Sequence, residues 1–135
     1  MKTEIRLLLS RDDPLHKRGY YVVAEALRNA GLEVIMGDWM TPRQIAKIAL
    51  DEDVDIIGYR IMQGSPKVLV PLLFDRLREN GIDDVPVVVG GIIPKKEVSL
   101  LKDLGVKEVF HPHTPLEDIQ RRVIEIGKED RSNAS

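Results

Sequence analysis

The chain of 135 residues has no cysteine. That absence excludes disulfides, thiolate zinc sites, iron–sulfur clusters and cysteine nucleophiles together. No apolar run approaches the roughly 18–20 residues that a membrane-spanning helix requires. The start, Met1-Lys2-Thr3-Glu4-Ile5-Arg6-Leu7, is broken by charge and lacks the apolar core of a secretory signal. Neither sign of charge dominates: 20 basic side chains stand against 22 acidic ones, a net charge of −2. With no basic tail or stripe, nucleic acid is a poor partner. No Gly-rich dinucleotide fingerprint, P-loop or nucleophile elbow occurs. The expected location is the cytoplasm, with no membrane contact.

What is present is a regular alternation. Hydrophobic residues make up 43% and charged residues 31%, with ten glycines and eight prolines, the composition of one globular domain. Short apolar runs at Ile5–Leu9, Val34–Met36, Asp55–Tyr59, Pro86–Val89 and Val106–Phe110 predict strands. Between them lie helical periodicities: Tyr20, Val23, Ala24 and Leu27; Ile45, Ile48 and Ala49; Val70, Leu73, Phe74 and Leu77; Val98, Leu101 and Leu104. A final helix is predicted from Thr114-Pro115 to about Gly127. Gly31, Gly81 and Gly105 supply helix stops, and Thr41-Pro42 a helix start. Five strand–helix units predict an α/β domain over residues 1–127, with 128–135 as a polar C-terminal tail. The expected fold is flavodoxin-like (Rossmann-like): a five-stranded parallel sheet, order 2-1-3-4-5, helices on both faces. Ligands are expected at the carboxyl ends of strands 1, 3 and 4.

Four loops lie at that edge: Ser10–Gly19, Arg60–Pro66, Gly90–Pro94 and His111–Pro115. All three histidines, His16, His111 and His113, fall in or beside them. A three-histidine metal centre is disfavoured by geometry. Strands 1 and 5 are three steps apart, about 14 Å at ~4.8 Å per strand, against metal–nitrogen bonds of ~2.1 Å. Trp39 and Met40 form a local apolar lid or a partner contact. A response-regulator receiver shares this topology, and Asp12-Asp13 imitates its acidic pair. It needs a phosphoacceptor Asp where Tyr59-Arg60 stand, and a Lys where His111 stands, so that reading fails. A flavodoxin phosphate loop fails too, because Arg11-Asp12-Asp13-Pro14-Leu15 would repel phosphate.

Four segments carry a family resemblance. They are His16-Lys17-Arg18-Gly19, then Glu52-Asp53-Val54-Asp55-Ile56-Ile57-Gly58, then Val87-Val88-Val89-Gly90-Gly91-Ile92-Ile93-Pro94, and Leu104-Gly105-Val106-Lys107-Glu108-Val109-Phe110. Over roughly residues 4–127 the chain resembles the cobalamin-binding domain of methylmalonyl-CoA-mutase-type enzymes, and the later segments resemble the acyl-CoA mutase branch. The resemblance implies the small, cobalamin-carrying subunit of an adenosylcobalamin-dependent acyl-CoA mutase, whose large partner subunit carries the substrate barrel. Such a chain would be one component of an isomerase hetero-oligomer, not catalytic alone.

The family fingerprint has three parts. The first is Asp-x-His-x-x-Gly after strand 1, where His16 and Gly19 match and Pro14 occupies the Asp position. The resemblance makes His16 the lower ligand of cobalt. The family carboxylate accepts the other ring N–H, fixing the tautomer and raising ligand basicity. Proline does neither, and Asp12 or Asp13 serve only if the loop shifts its register. The second part is Ser-x-Leu after strand 3, where Arg60 and Met62 stand. Burying an unpaired guanidinium costs several kcal/mol, so Arg60 requires an anion, water or a different site. An ion pair with Asp12 or Asp13 is the account that needs no ligand.

The third part, Gly90-Gly91, is intact and lets a ligand lie on the backbone, although a plain strand-to-helix turn explains the pair equally well. After strand 5 the family's Gly-Pro-Gly-Thr turn is His111-Pro112-His113-Thr114, with Thr114 matching. His16, Gly19, Arg60, Met62, Gly90, Gly91 and Thr114 are therefore the cofactor-binding residues the resemblance implies. No catalytic residue is expected on this chain. The alternative left open is a degenerate scaffold that has lost the cofactor and acts as an assembly or regulatory module for a mutase-like partner.

Overall fold

A computed structural model describes residues 4–133, with side chains described to 129. The apolar runs form β1 (Arg6–Arg11), β2 (Glu33–Trp39), β3 (Ile56–Ile61), β4 (Val87–Gly91) and β5 (Glu108–Phe110). They pair side by side, all parallel, in the order β2-β1-β3-β4-β5. The connecting segments are α1 (Lys17–Asn29), α2 (Pro42–Asp51), α3 (Pro66–Glu79), α4 (Lys95–Leu104) and α5 (Leu116–Asn133). The expected flavodoxin-like topology is the one observed. Among the described residues no helix is long and apolar enough to cross a membrane.

Each central strand buries both faces, which is why β4 reads as continuous valine rather than as an alternation. Leu7, Leu9, Ile56 and Val88 pack with Tyr20, Leu27 and Val123 beneath α1 and α5. Leu8, Ile57, Val87 and Val89 pack on the other face with Ile45, Leu73, Leu77 and Leu101 of α2, α3 and α4. Thr41 starts α2 through a reciprocal capping box with Gln44, and Pro42 follows at the first helical position.

Four strands run further into the carboxyl edge than their apolar runs indicate. Parallel pairing carries β1 to Arg11, β2 to Trp39, β3 to Ile61 and β4 to Gly91, so Arg60 is a strand residue and not a loop residue. Backbone pairing, unlike hydropathy, does not end where the apolar side chains end. Pairing in β5 covers only Glu108–Phe110.

Between Leu9 and Ser10 the β1–β2 register shifts past Gly37. Tyr20 fastens that irregularity: its hydroxyl donates to Leu9 O at 2.6 Å and accepts the Asp38 N–H at 2.9 Å. Burial pushes the phenol up to about 12. At the C-terminus, α5 continues through Gly127 to Asn133, so the expected polar tail is helical to that point. Gly127 is a close-packing position and not a stop, since a Cβ there would lie 2.8 Å from Ile5 Cγ2. Residues 134–135 of the expected tail lie outside the described residues.

Candidate functional site

The period-two alternation of the strands builds the site. On the α1/α5 face, Leu9, Gly58 and Val88 stand in one row across β1, β3 and β4. The next row towards the carboxyl edge is Arg11, Arg60, Gly90 and Phe110. Glycine at 58 and 90 removes a side chain from each row, and Gly19 removes a third from the facing turn of α1. The result is a cavity of about 240 Å³ between the sheet, α1 and α5. Its walls are aliphatic, including Leu7, Leu9, Val23, Val88 and Ile119. Its mouth carries Arg60, Met62, His111, His113 and Thr114.

The two glycines of the Gly-Gly pair do different work. A Cβ at Gly91 would strike the Ile61 main chain, 2.8 Å from its carbonyl carbon, and φ is +106°. Gly91 is therefore required by the fold itself. A Cβ at Gly90 would meet nothing closer than Phe110 O at 3.6 Å. The missing side chain at 90 leaves room in the cavity and is not needed for packing.

His16 sits at the start of α1, beside this cavity, with 49% of its side chain exposed. The Asp of the family pattern is displaced by Pro14, and the loop supplies Asp13 instead. Asp13 is fully buried, and its Oδ2 accepts the His16 main-chain N–H at 3.3 Å and bonds to ring Nδ1. Burial pushes the Asp13 carboxyl up. The His16 ring hydrogen bond and charge, and the amides of His16 and Leu15, outweigh it and hold the carboxyl below its ordinary range. A carboxylate only accepts, so Nδ1 carries the proton, and in the neutral ring Nε2 is left with its lone pair for a ligand. Asp13 Oδ1 is buried with no hydrogen-bond partner.

Asp12, the other member of the acidic pair, closes the opposite loop. Its carboxylate accepts the amides of Met62 at 2.7 Å, Gln63 at 3.2 Å and Gly64 at 2.6 Å, while its own N–H donates to Arg60 O at 3.0 Å. The expected ion pair between Arg60 and these aspartates does not form among the described residues: Asp12 is held by the loop amides and Asp13 Oδ2 by His16. Arg60 instead lies across Gly19, where a Cβ would come within 2.8 Å of its Cζ, and Nη1 donates to His16 O at 3.2 Å. Burial lowers the Arg60 pKa, opposed by the charges of Asp13 and Asp12.

At the other side of the mouth, Thr114 precedes α5. Its hydroxyl donates to His111 O at 2.6 Å and closes the turn. His113 stands at the second glycine of the family turn with φ +71°, a conformation that costs a side-chain-bearing residue about 1 kcal/mol or more.

No group of three or more metal-ligating side chains exists among the described residues. A metal at His16 must therefore bring its other ligands with it. One carboxylate-backed imidazole beside a glycine-walled apolar cavity fits a metal carried in an organic cofactor with a bulky tail. The structure brings His16, Gly19, Arg60, Met62, Gly90, Gly91 and Thr114 to one edge. The sequence reading left the partner of His16 open between Asp12 and Asp13, and the structure selects Asp13; the reading missed Asp12 as the loop clamp. The available signal was the acidic pair itself, three and four residues before the histidine. It also missed Gly58, whose signal was a glycine two residues before Arg60, on the same strand face.

Fold and site thus define a class: a flavodoxin-like α/β domain that presents a carboxylate-backed imidazole beside an apolar cavity. The fold alone is widely shared. A response regulator from Desulfuromonas acetoxidans superposes with a TM-score of 0.73 over 92% of this chain and 97% of its own, at 17% identity. The sequence distinguishes the branch. Residues 7–119 match the family model of the B12 binding domain, and the chain belongs to that family. It is similar to the 2-hydroxyisobutanoyl-CoA mutase small subunit of Aquincola tertiaricarbonis, at 39% identity over 84% of this chain and 85% of that protein. It is also similar to the pivalyl-CoA mutase small subunit of Xanthobacter autotrophicus, at 41% identity over 87% of this chain and 79% of that protein.

Proposed function

We propose that this chain is the cobalamin-binding small subunit of a two-subunit acyl-CoA mutase, with adenosylcobalamin as cofactor and a larger partner chain holding the acyl-CoA. The observation that carries the reading is the His16–Asp13 pair beside the glycine-walled cavity. The small-subunit names of the relatives at about 40% identity support a partner mutase. When bound, adenosylcobalamin supplies a cobalt–carbon bond whose homolysis starts a radical carbon-skeleton isomerisation.

This chain's own residues bind and orient. His16 offers Nε2 to cobalt, and Asp13 fixes the ring through Nδ1–H. Gly19, Gly58 and Gly90 leave space for the cofactor tail, and Gly91 lets β4 approach Ile61. Arg60, Met62 and Thr114 border the mouth. The aliphatic walls exclude water. The assembly works in the cytoplasm, and turnover requires the partner.

Absorbance on mixing the chain with hydroxocobalamin tests the assignment. Wild type is expected to give the base-off/His-on spectrum and His16→Ala to lose it. An identical spectrum in both proteins overturns the role of His16.

A further inference from the structure

Arg11, at the end of β1, is a buried cation that stands outside the lining of the cavity, with 3% of the residue exposed. Its guanidinium ties three elements together. Nη1 donates to Asp13 O in the β1–α1 loop at 2.6 Å. Nε donates to Asp38 Oδ1 near the end of β2 at 2.6 Å, and Nη2 pairs with the same carboxylate. The guanidinium carbon lies over the ring of Tyr20, 5.3 Å from its centroid, and Tyr20 is one turn along α1 from His16. Asp38 meets Arg11 from a left-handed backbone, φ +69°, just past the β1–β2 register shift. Side-chain-bearing residues hold that conformation only where their surroundings impose it. A buried ion pair is a poor source of stability, because desolvation offsets the attraction. The geometry gives it another use. Asp38 takes the charge of Arg11, so Arg11 grips Asp13 by its neutral main-chain oxygen. The Asp13 carboxylate is left to the His16 ring, while the loop that carries it is fixed to the sheet.

We infer that Arg11, anchored by Asp38, is a positioning residue for the His16–Asp13 pair. It sets the orientation of the imidazole through the main chain of Asp13. The inference rests on the cobalamin reading and adds the element that aims the ligand: the irregular end of β2, reached through one buried side chain.

Wild type, Arg11→Met, Arg11→Lys and Asp38→Asn test this in two readouts. One is the nitrogen-15 ring signals of His16 in the cofactor-free chain, at a pH where the ring is neutral. The other is calorimetric titration with hydroxocobalamin. Wild type is expected to show the Nδ1–H tautomer. Arg11→Met is expected to give a mixture of tautomers and to weaken hydroxocobalamin about tenfold, the lower end of what outer partners of a metal-bound imidazole contribute. Arg11→Lys is expected to recover part of both, because it keeps the charge without the planar fork that serves Asp13 and Asp38 together. Asp38 is half-exposed, and Asp38→Asn is expected to move both readouts in the direction of Arg11→Met. A lower denaturation midpoint with the tautomer and affinity of wild type overturns the proposal and makes Arg11 a structural cation. Weaker binding with an unchanged ring also overturns it, because the effect would not pass through His16. If Arg11→Met fails to fold, wild-type ring signals in Asp38→Asn overturn it and mixed tautomers support it. No binding of hydroxocobalamin by wild type, alone and with its large subunit, overturns the cobalamin reading and this inference with it.

Discussion

A buried carboxylate that stays charged needs donors close by, and Asp13 finds them in the ring and main chain of His16. Its folded pKa lies below the ordinary value of 3.8. The pair therefore contributes stability that is fully present above that value and is lost as pH falls through the folded one. Asp13→Asn is expected to flatten the acid limb of the stability curve below about pH 4, measured by urea denaturation across pH. The same change is expected to weaken cobalamin binding about 10–100-fold, because the outer partner of a metal-bound imidazole sets its orientation and basicity. An acid limb and an affinity equal to wild type would count against a working His16–Asp13 pair. The sequence shows the histidine through its spacing to Gly19. It leaves the carboxylate open between Asp12 and Asp13, because the acid that pairs stands three positions before the ring and the family pattern has it at two.

At the scale of elements, the ends of the strands decide the site. The apolar runs stop at Leu9, Tyr59 and Val89, so the sequence reading ends the strands there. Hydrogen-bonded register carries them on, and that extension aligns Arg11, Arg60 and Gly90 in a single row. Arg60 is consequently aimed by strand alternation, which a loop reading could not foresee. The Gly-Gly pair of β4 separates in the same way. Gly91→Ala forces a side chain into the Ile61 main chain at a positive φ, and about 2 kcal/mol or more of stability is expected to be lost. Gly90→Ala has room within the protein and is expected to stay within about 1 kcal/mol of wild type while weakening cobalamin. Denaturation curves paired with calorimetry check both halves. A destabilised Gly90→Ala with unaltered affinity would contradict the division of roles.

For the whole molecule, topology is the most legible property and function the least. Five alternations of strand and helix dictate the order β2-β1-β3-β4-β5, because right-handed parallel crossovers leave few alternatives. The same frame serves response regulators, as the superposition at 17% identity illustrates. What separates this chain from them lies in about four loops at one edge, where Tyr59-Arg60 and His111 replace the residues a receiver would need. The same edge also carries exposed Leu15, Trp39 and Ile92, on the side where the cofactor is proposed to bind. Side-chain partners across such loops depend on insertions of single residues, so they are read from coordinates and not from spacing.

The central claim is that one edge of the sheet takes cobalamin, with His16 and the glycine-walled cavity in contact with it. The most direct measurement is an amide nuclear magnetic resonance titration of the nitrogen-15-labelled chain with hydroxocobalamin. The expected result is that the largest shifts fall at His16, Gly19, Gly58, Arg60, Gly90 and Gly91. An unchanged spectrum at saturating cofactor, or shifts confined to the opposite face around Arg43, Lys47 and Arg76, would contradict it.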